Sequence, residues 1–240
     1  VTARLNARGQ LAALTVDGRA IELAGHAAEF VVYPEQPANF GPWDIDRHTL
    51  SLGQPARRPA KITADRQGLT VTRPVGTKSS VALRFWLEPG AGVLRLTAQL
   101  DWHEPDTMLK LHFPTTYRGR EVRCGTPFGS VLRPQLATSR EVEAMWEWPM
   151  SRWATVSAEA ERTGLFVVTE AKYGVNCRDG NLGVTLLRTQ KHVGYEEHAK
   201  AYPAHLSRLP KPTTTFTDLG RHTIELAVGH YDATAPRTEQ

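Results

Sequence analysis

Two stretches of this 240-residue sequence gather side chains that could do chemistry. The first is Trp43-Asp44-Ile45-Asp46-Arg47-His48. An indole face can stack on a pyranose ring, and carboxylates accept hydrogen bonds from hydroxyls, so the cluster could hold a sugar. It is poorly spaced for a pair of glycosidase carboxylates. Two apart in an extended chain, Asp44 and Asp46 point the same way and cannot flank a scissile bond from opposite sides. The plainer alternative is a loop whose acids cap turns and pair with Arg47. The second stretch runs from Lys172 to Gly180 and reads as a loop. It could present Lys172, Tyr173 and Arg178 to an anionic or polyol ligand. Its Asp179-Gly180 step also predicts a tight hairpin turn, which needs no ligand; the two readings are compatible.

Other chemistries find little footing. His192, His198 and His205 lie in a loop with Glu196 and Glu197, without the i, i+4 spacing of a helical zinc motif. Ser151, Ser157 and Ser207 lack the strand-turn-helix elbow of a serine hydrolase. Gly90-Ala91-Gly92 links two strand patterns and precedes no helix, so it is no phosphate loop. Cys124 and Cys177 are isolated and form no CxxC, which disfavours a structural metal site and suits a reducing cytoplasm; their pairing is left open. The residues therefore predict no self-contained catalytic set and no metal centre.

The elements that must position these residues are strands. Val81, Leu83, Phe85 and Leu87 alternate with Ala82, Arg84 and Trp86, and Leu94, Leu96, Ala98 and Leu100 with Arg95, Thr97 and Gln99. The same period returns at Leu109, Leu111 and Phe113 around Lys110 and His112, and at Ile224, Leu226 and Val228. Period two puts one set of side chains on each face, as in an antiparallel sheet with one buried and one wet face. On that reading His112 faces water or a neighbouring domain. Gly-bearing links at Asp17-Gly18, Gln67-Gly68 and Asp179-Gly180 punctuate the strands, and prolines fall at their ends. The segment 138–145 carries capping residues but is short, and it is read as strand or loop. The expectation is an all-β fold, a large antiparallel β-sandwich in a single domain spanning residues 1–240, with a frayed polar tail over 232–240. The regularity breaks at Pro34–His48 and Thr189–Leu219, the two candidate functional or covering loops.

Composition narrows the partners. A net charge of +4, with 29 basic and 25 acidic residues scattered along the chain, gives no clustered basic stripe for nucleic acid. No apolar run reaches the ~20 residues of a spanning helix, and the first residues carry no apolar signal region. A start on Val1 in an alternating run predicts a piece of a longer chain.

The order of motifs resembles that of the C-terminal β-domain of the α-mannosidases, glycoside hydrolase family 38. The motifs are Pro149, Arg152-Trp153-Ala154, Gly164-Leu165-Phe166-Val167-Val168, Lys172-Tyr173-Gly174, Arg178-Asp179-Gly180-Asn181 and Leu186-Leu187-Arg188. Phe40-Gly41-Pro42-Trp43-Asp44-Ile45-Asp46 and the closing Gly220-Arg221-His222 with His230 extend the likeness over most of the chain. The chain departs from the pattern at Ile224 and Leu226, where aromatics are usual, and at Thr189-Gln190-Lys191-His192.

The resemblance implies a supersandwich related in shape to galactose mutarotase. It implies that this piece is a C-terminal fragment with a partner, the N-terminal catalytic domain of the same parent chain, which holds the zinc and the aspartate nucleophile for retaining α-mannoside hydrolysis. No catalytic residue, metal ligand or cofactor is carried over to these 240 residues, and the chain alone is expected to be inactive. Trp43, Asp44, Asp46, Lys172, Tyr173, Arg178 and Asp179 are the residues expected to reach a carbohydrate, with the two loops at one end of the sandwich. Two alternatives stand beside this. One is a free-standing carbohydrate-binding module using Trp43 with Trp146 or Trp148. The other is a mutarotase-like epimerase using His103-Glu104 or His112 as acid and base.

Overall fold

The computed structural model describes residues 1–36, 41, 43–136, 138–158, 163–192 and 214–232. The expected tail beyond Asp232 lies outside them. So do Phe40, Pro42, Ser207 and the cluster of Tyr195, Glu196, Glu197, His198, Tyr202 and His205.

Strands β1 (Thr2–Leu5), β2 (Leu11–Val16) and β3 (Arg19–Ala20) form a three-stranded antiparallel sheet. Next come β4 (Glu29–Pro34), a 3-10 turn at Arg47–Leu52 and β5 (Gln54–Pro55). A long meander follows: β6 (Lys61–Ala64), β7 (Gly68–Val75), β8 (Ser79–Trp86) and β9 (Val93–Trp102). The chain continues through β10 (Thr107–Pro114), β11 (Glu121–Thr126), β12 (Gly129–Pro134), the short helix α1 (Arg140–Ala144) and β13 (Trp148–Pro149). It closes with β14 (Trp153–Ser157), β15 (Thr163–Thr169), β16 (Gly174–Arg178), β17 (Asn181–Thr189) and β18 (Gly220–Asp232). Nine strands assemble in the order β12-β11-β14-β15-β18-β9-β8-β7-β6, and six in the order β13-β16-β17-β10-β4-β5. Neighbouring strands in both sheets run antiparallel.

The core lies between these two large sheets. Leu83, Phe85, Leu94, Leu96, Leu100, Val167 and Val228 from the larger meet Phe30, Val32, Leu109, Leu111, Phe113 and Val184 from the smaller in one apolar cluster. The alternation on β8 and β9 thus buries one face as expected. The hairpins also form as their residues dictate. Asp17 and Gly18 have φ of 49° and 75°, and Asp179 and Gly180 have 51° and 81°. Positive φ at both central positions is what a two-residue hairpin turn needs, and Asp-Gly provides it at low cost. Cys124 and Cys177 are both buried free thiols.

Two expectations are corrected. The segment after Ser139 is helical: α1 is capped by the Ser139 hydroxyl, which accepts from the Val142 amide at 3.3 Å. Five residues are too few to show a helical period. Second, β10 has no wet face. It lies between β17 and β4, and Lys110 and His112 are 0% and 7% exposed. The outer face of the six-stranded sheet has its own cover, where Val31, Tyr33, Met108 and Trp146 cluster with Ile45 and Leu50.

A β-bulge shapes that outer face. Lys110 pairs with Thr185, but Leu109 pairs with Leu187, so Leu186 is an extra residue in β17. In a regular strand of the same length Arg188 would share a face with core-facing Val184. With the bulge, Arg188 stands opposite Met108 on the covered outer face.

Candidate functional site

A cavity of about 350 Å³ opens on the outer face of the six-stranded sheet. Four pieces of chain wall it. Trp43, Asp44 and Ile45 come from the connection between β4 and the 3-10 turn. Trp146 and Glu147 come from the segment that leads α1 into β13. Tyr173 and Gly174 come from the start of β16, and Arg188 forms part of the wall from β17. Trp43 and Tyr173 are 63% and 60% exposed, so each offers a ring face to solvent.

Arg188 secures the first wall. Its Nε lies 3.0 and 3.2 Å from the two oxygens of Glu35, and its Nη2 lies 3.0 Å from Glu35 Oε2. Nη2 also donates to the Gly41 carbonyl at 2.7 Å and to the Asp44 carbonyl. Glu35 is buried and accepts a further bond from Gln190 Nε2. Burial pushes the Glu35 carboxyl up, and the Arg188 guanidinium opposes that shift. The bulged register therefore fastens the Trp43 segment to the sheet by its backbone and leaves its side chains free to face outward.

A second polar layer supports the other walls. Lys110 Nζ lies 2.7 and 2.6 Å from the two oxygens of Glu147 and 2.9 Å from Thr185 Oγ1. Thr185 Oγ1 itself donates to Glu147 Oε1. Beside them, Tyr33 Oη bonds His112 Nε2 at 2.9 Å, and His112 Nδ1 is 3.3 Å from Asn181 Oδ1. Burial, with the Glu147 charge adding to it, pushes the Tyr33 phenol up to about 12.

Of the residues expected from sequence, the cavity brings together Trp43, Asp44 and Tyr173. The two stretches thus meet in one cavity. Asp46 instead receives the Thr49 amide at its carbonyl, 2.9 Å away, at the start of the 3-10 turn. Arg47 pairs with Glu143 rather than with the aspartates beside it. Lys172 is half-buried and does not line the cavity, and its backbone is fixed by Thr169 Oγ1 at 3.1 Å. Burial pushes the Lys172 ammonium down, and Asp218 counters. Arg178 and Asp179 do not line the cavity. The stretch read as one loop contains β16, and five extended residues carry the chain about 16 Å from Gly174 to the turn. There Arg178 Nη2 donates to the Glu143 carbonyl at 3.2 Å, and Asp179 pairs with Arg118 at 3.3 Å.

Glu147 and Arg188 are the lining residues that sequence reading missed; Trp146 and Trp148, named for a binding module, also line the cavity but are each only 4% exposed. A lysine inside Leu109-Lys110-Leu111 and a glutamate between two tryptophans were the available signals. The acid-base pairs of an epimerase do not assemble. The Glu104 carboxylate is occupied by Thr77, Lys78 and Ser79, and His103 bonds Asp101 at 2.9 Å. His112 is buried and bonded through both ring nitrogens. Among the described residues no three His, Cys, Asp or Glu side chains group so as to hold a metal. A larger cavity of about 550 Å³, between Arg57 and Glu104, is lined by none of the residues expected to reach a carbohydrate.

Comparison with known proteins places this geometry. The model of the glycosyl hydrolases family 38 C-terminal domain matches residues 1–226. Human alpha-mannosidase 2C1 is 23% identical over 205 residues, 80% of this chain and 19% of that protein. The mouse protein of the same name is 24% identical over 237 residues, 95% of this chain and 21% of that protein. The chain thus spans about a fifth of the curated relatives it matches. The crystal structure of an alpha-mannosidase from Enterococcus faecalis V583 superposes with a TM-score of 0.68 at 12% identity, covering 95% of this chain and 28% of that one.

Proposed function

This chain belongs to the glycosyl hydrolases family 38 C-terminal domain family, and from that premise we propose that it is the non-catalytic β-domain of an α-mannosidase-like glycoside hydrolase. It packs on a zinc-dependent catalytic domain carried elsewhere in the parent polypeptide and lends the cavity around Trp43 and Tyr173 to the sugar. The supporting observation is that convergence: two exposed aromatic rings, the Asp44 carboxylate and Glu147 share one cavity of about 350 Å³. Aromatic faces with a few fixed polar groups are what a pyranose site requires.

Two measurements test the proposal. The 240-residue chain with zinc and an aryl α-mannoside should give no turnover, and turnover above background would overturn the non-catalytic reading. Titration with methyl α-mannoside should change tryptophan fluorescence in the wild type and not in Trp43→Ala. No response in the wild type would remove the sugar-binding part. A free-standing carbohydrate-binding module would use the same two rings; family membership and the length of the relatives favour the domain reading.

A further inference from the structure

Behind the cavity wall, Lys110 is fully buried and spends all three of its protons within the protein: two on Glu147 and one on Thr185. As a packing device this is an odd choice, because buried ion pairs can often be replaced by apolar residues without loss of stability. An apolar pair could not supply a fixed negative charge at the cavity. Glu147 lines that cavity with 12% of its side chain exposed. Each carboxylate oxygen has room for about two hydrogen bonds. Among the described residues Oε1 accepts from Lys110 and Thr185, whereas Oε2 accepts from Lys110 alone, which leaves one acceptor position open.

The other charges of the wall fix its sign. The Arg188 guanidinium is engaged with buried Glu35 and two backbone carbonyls. Asp44 adds an exposed carboxylate at the rim. Lys172 and Arg178, the cations that could have welcomed an anion, do not line the cavity.

We propose that Glu147 Oε2 is the specificity-determining acceptor for a hydroxyl of a neutral pyranose lying against Trp43 and Tyr173, and that the cavity rejects anionic sugars. This rests on the sugar-site reading above and deepens it. Lys110 and Thr185 hold the carboxylate in one place, so a hydroxyl donor meets a preorganised partner. A sugar phosphate or uronate would bring its charge against Glu147 and Asp44, with no unpaired cation among the described lining residues to offset it.

The test uses the 240-residue chain, tryptophan fluorescence, methyl α-mannoside and mannose 6-phosphate. Wild type should bind the mannoside at least about tenfold more tightly than the phosphate. Glu147→Gln should lose at least about tenfold in mannoside affinity, the scale expected for a hydrogen bond to a charged group. Lys110→Met/Glu147→Met replaces the pair with an apolar one and guards against a misfolded single variant. In this double variant, with its melting transition checked, the preference between the two sugars should shrink, a change that loss of packing alone does not produce. Unchanged mannoside affinity and preference in both variants would overturn the role of Glu147, as would equal wild-type binding of the two sugars. A wild-type chain that binds no mannoside would overturn the underlying site as well, so the two failures are distinct.

Discussion

Acid should remove a definable share of this protein's stability through His112. The imidazole is 7% exposed, and both ring nitrogens are bonded within the protein. Burial, helped by the nearby Lys110 ammonium and opposed by the Asn181 bond, pushes its pKa from 6.5 down to about 4. A base with a depressed native pKa binds fewer protons folded than unfolded. Its contribution is complete above the unfolded value and is lost as pH falls toward the folded one. A gap of about 2.5 units is worth about 3 kcal/mol in the limit. On the same linkage, about 1.4 kcal/mol should be gone by about pH 5.5 and about 2.5 kcal/mol by about pH 4.5. The assay is urea unfolding of wild type and His112→Gln across that range. Glu35 and Asp106, held up by burial, and Glu104, held down by its hydrogen bonds, titrate in both chains and cancel in the difference. His112→Gln should be the less stable chain at neutral pH, with the gap narrowing by about 2.5 kcal/mol toward about pH 4.5. A gap that stays constant through the window would refute the assignment of a neutral, desolvated imidazole.

Breaking the ion pair by Lys110→Ala should cost about 3–5 kcal/mol, because Glu147 is left without its counter-charge, while Lys110→Met/Glu147→Met should be close to neutral in the same denaturation experiment. Gly183→Ala would place a methyl 2.5 Å from Asn176 Oδ1 and 2.7 Å from the His112 ring. Overpacking on that scale should lower stability by about 1–3 kcal/mol in thermal melts. Trp102→Phe removes the buried indole bond to Thr189 Oγ1, 2.7 Å long. It should cost about 1–3 kcal/mol by leaving the hydroxyl unmatched, read from chemical unfolding. Trp43→Ala, at an exposed position, should leave stability within about 0.5 kcal/mol while abolishing the fluorescence response to mannoside.

Alternation gave away β8 and β9 because each has one core face and one open face, the situation in which period two is unambiguous. It misled at β10 for the same reason. Lys110 and His112 occupy polar positions in the pattern, but chain from before the 3-10 turn and from around α1 folds over them. That cover is assembled from segments about 100 positions apart, such as Ile45 and Trp146, and no local pattern announces it. The site was half legible. Trp43, Asp44 and Tyr173 are polar-edged residues beside turns, and they do converge. Arg178 and Asp179 were grouped with them because Lys172–Gly180 looked like one loop. Val175, Asn176 and Cys177 instead extend as a buried strand and separate its ends. Glu147 was hidden between two aromatics, and its meaning depends on a lysine 37 positions away.

The extra residue at Leu186 also bears on which length changes the gene can tolerate. Side chains on a strand follow a two-beat phase, and a bulge is a skipped beat. Deleting the Leu186 codon would remove the skipped beat and still leave Arg188 opposite Met108 and Thr189 opposite Thr107. Inserting one codon between Leu187 and Arg188 would instead turn Arg188 into the apolar layer and Thr189 away from Trp102. The strand therefore tolerates the loss of a residue at the bulge better than a gain beyond it, because a gain there buries the charge of Arg188.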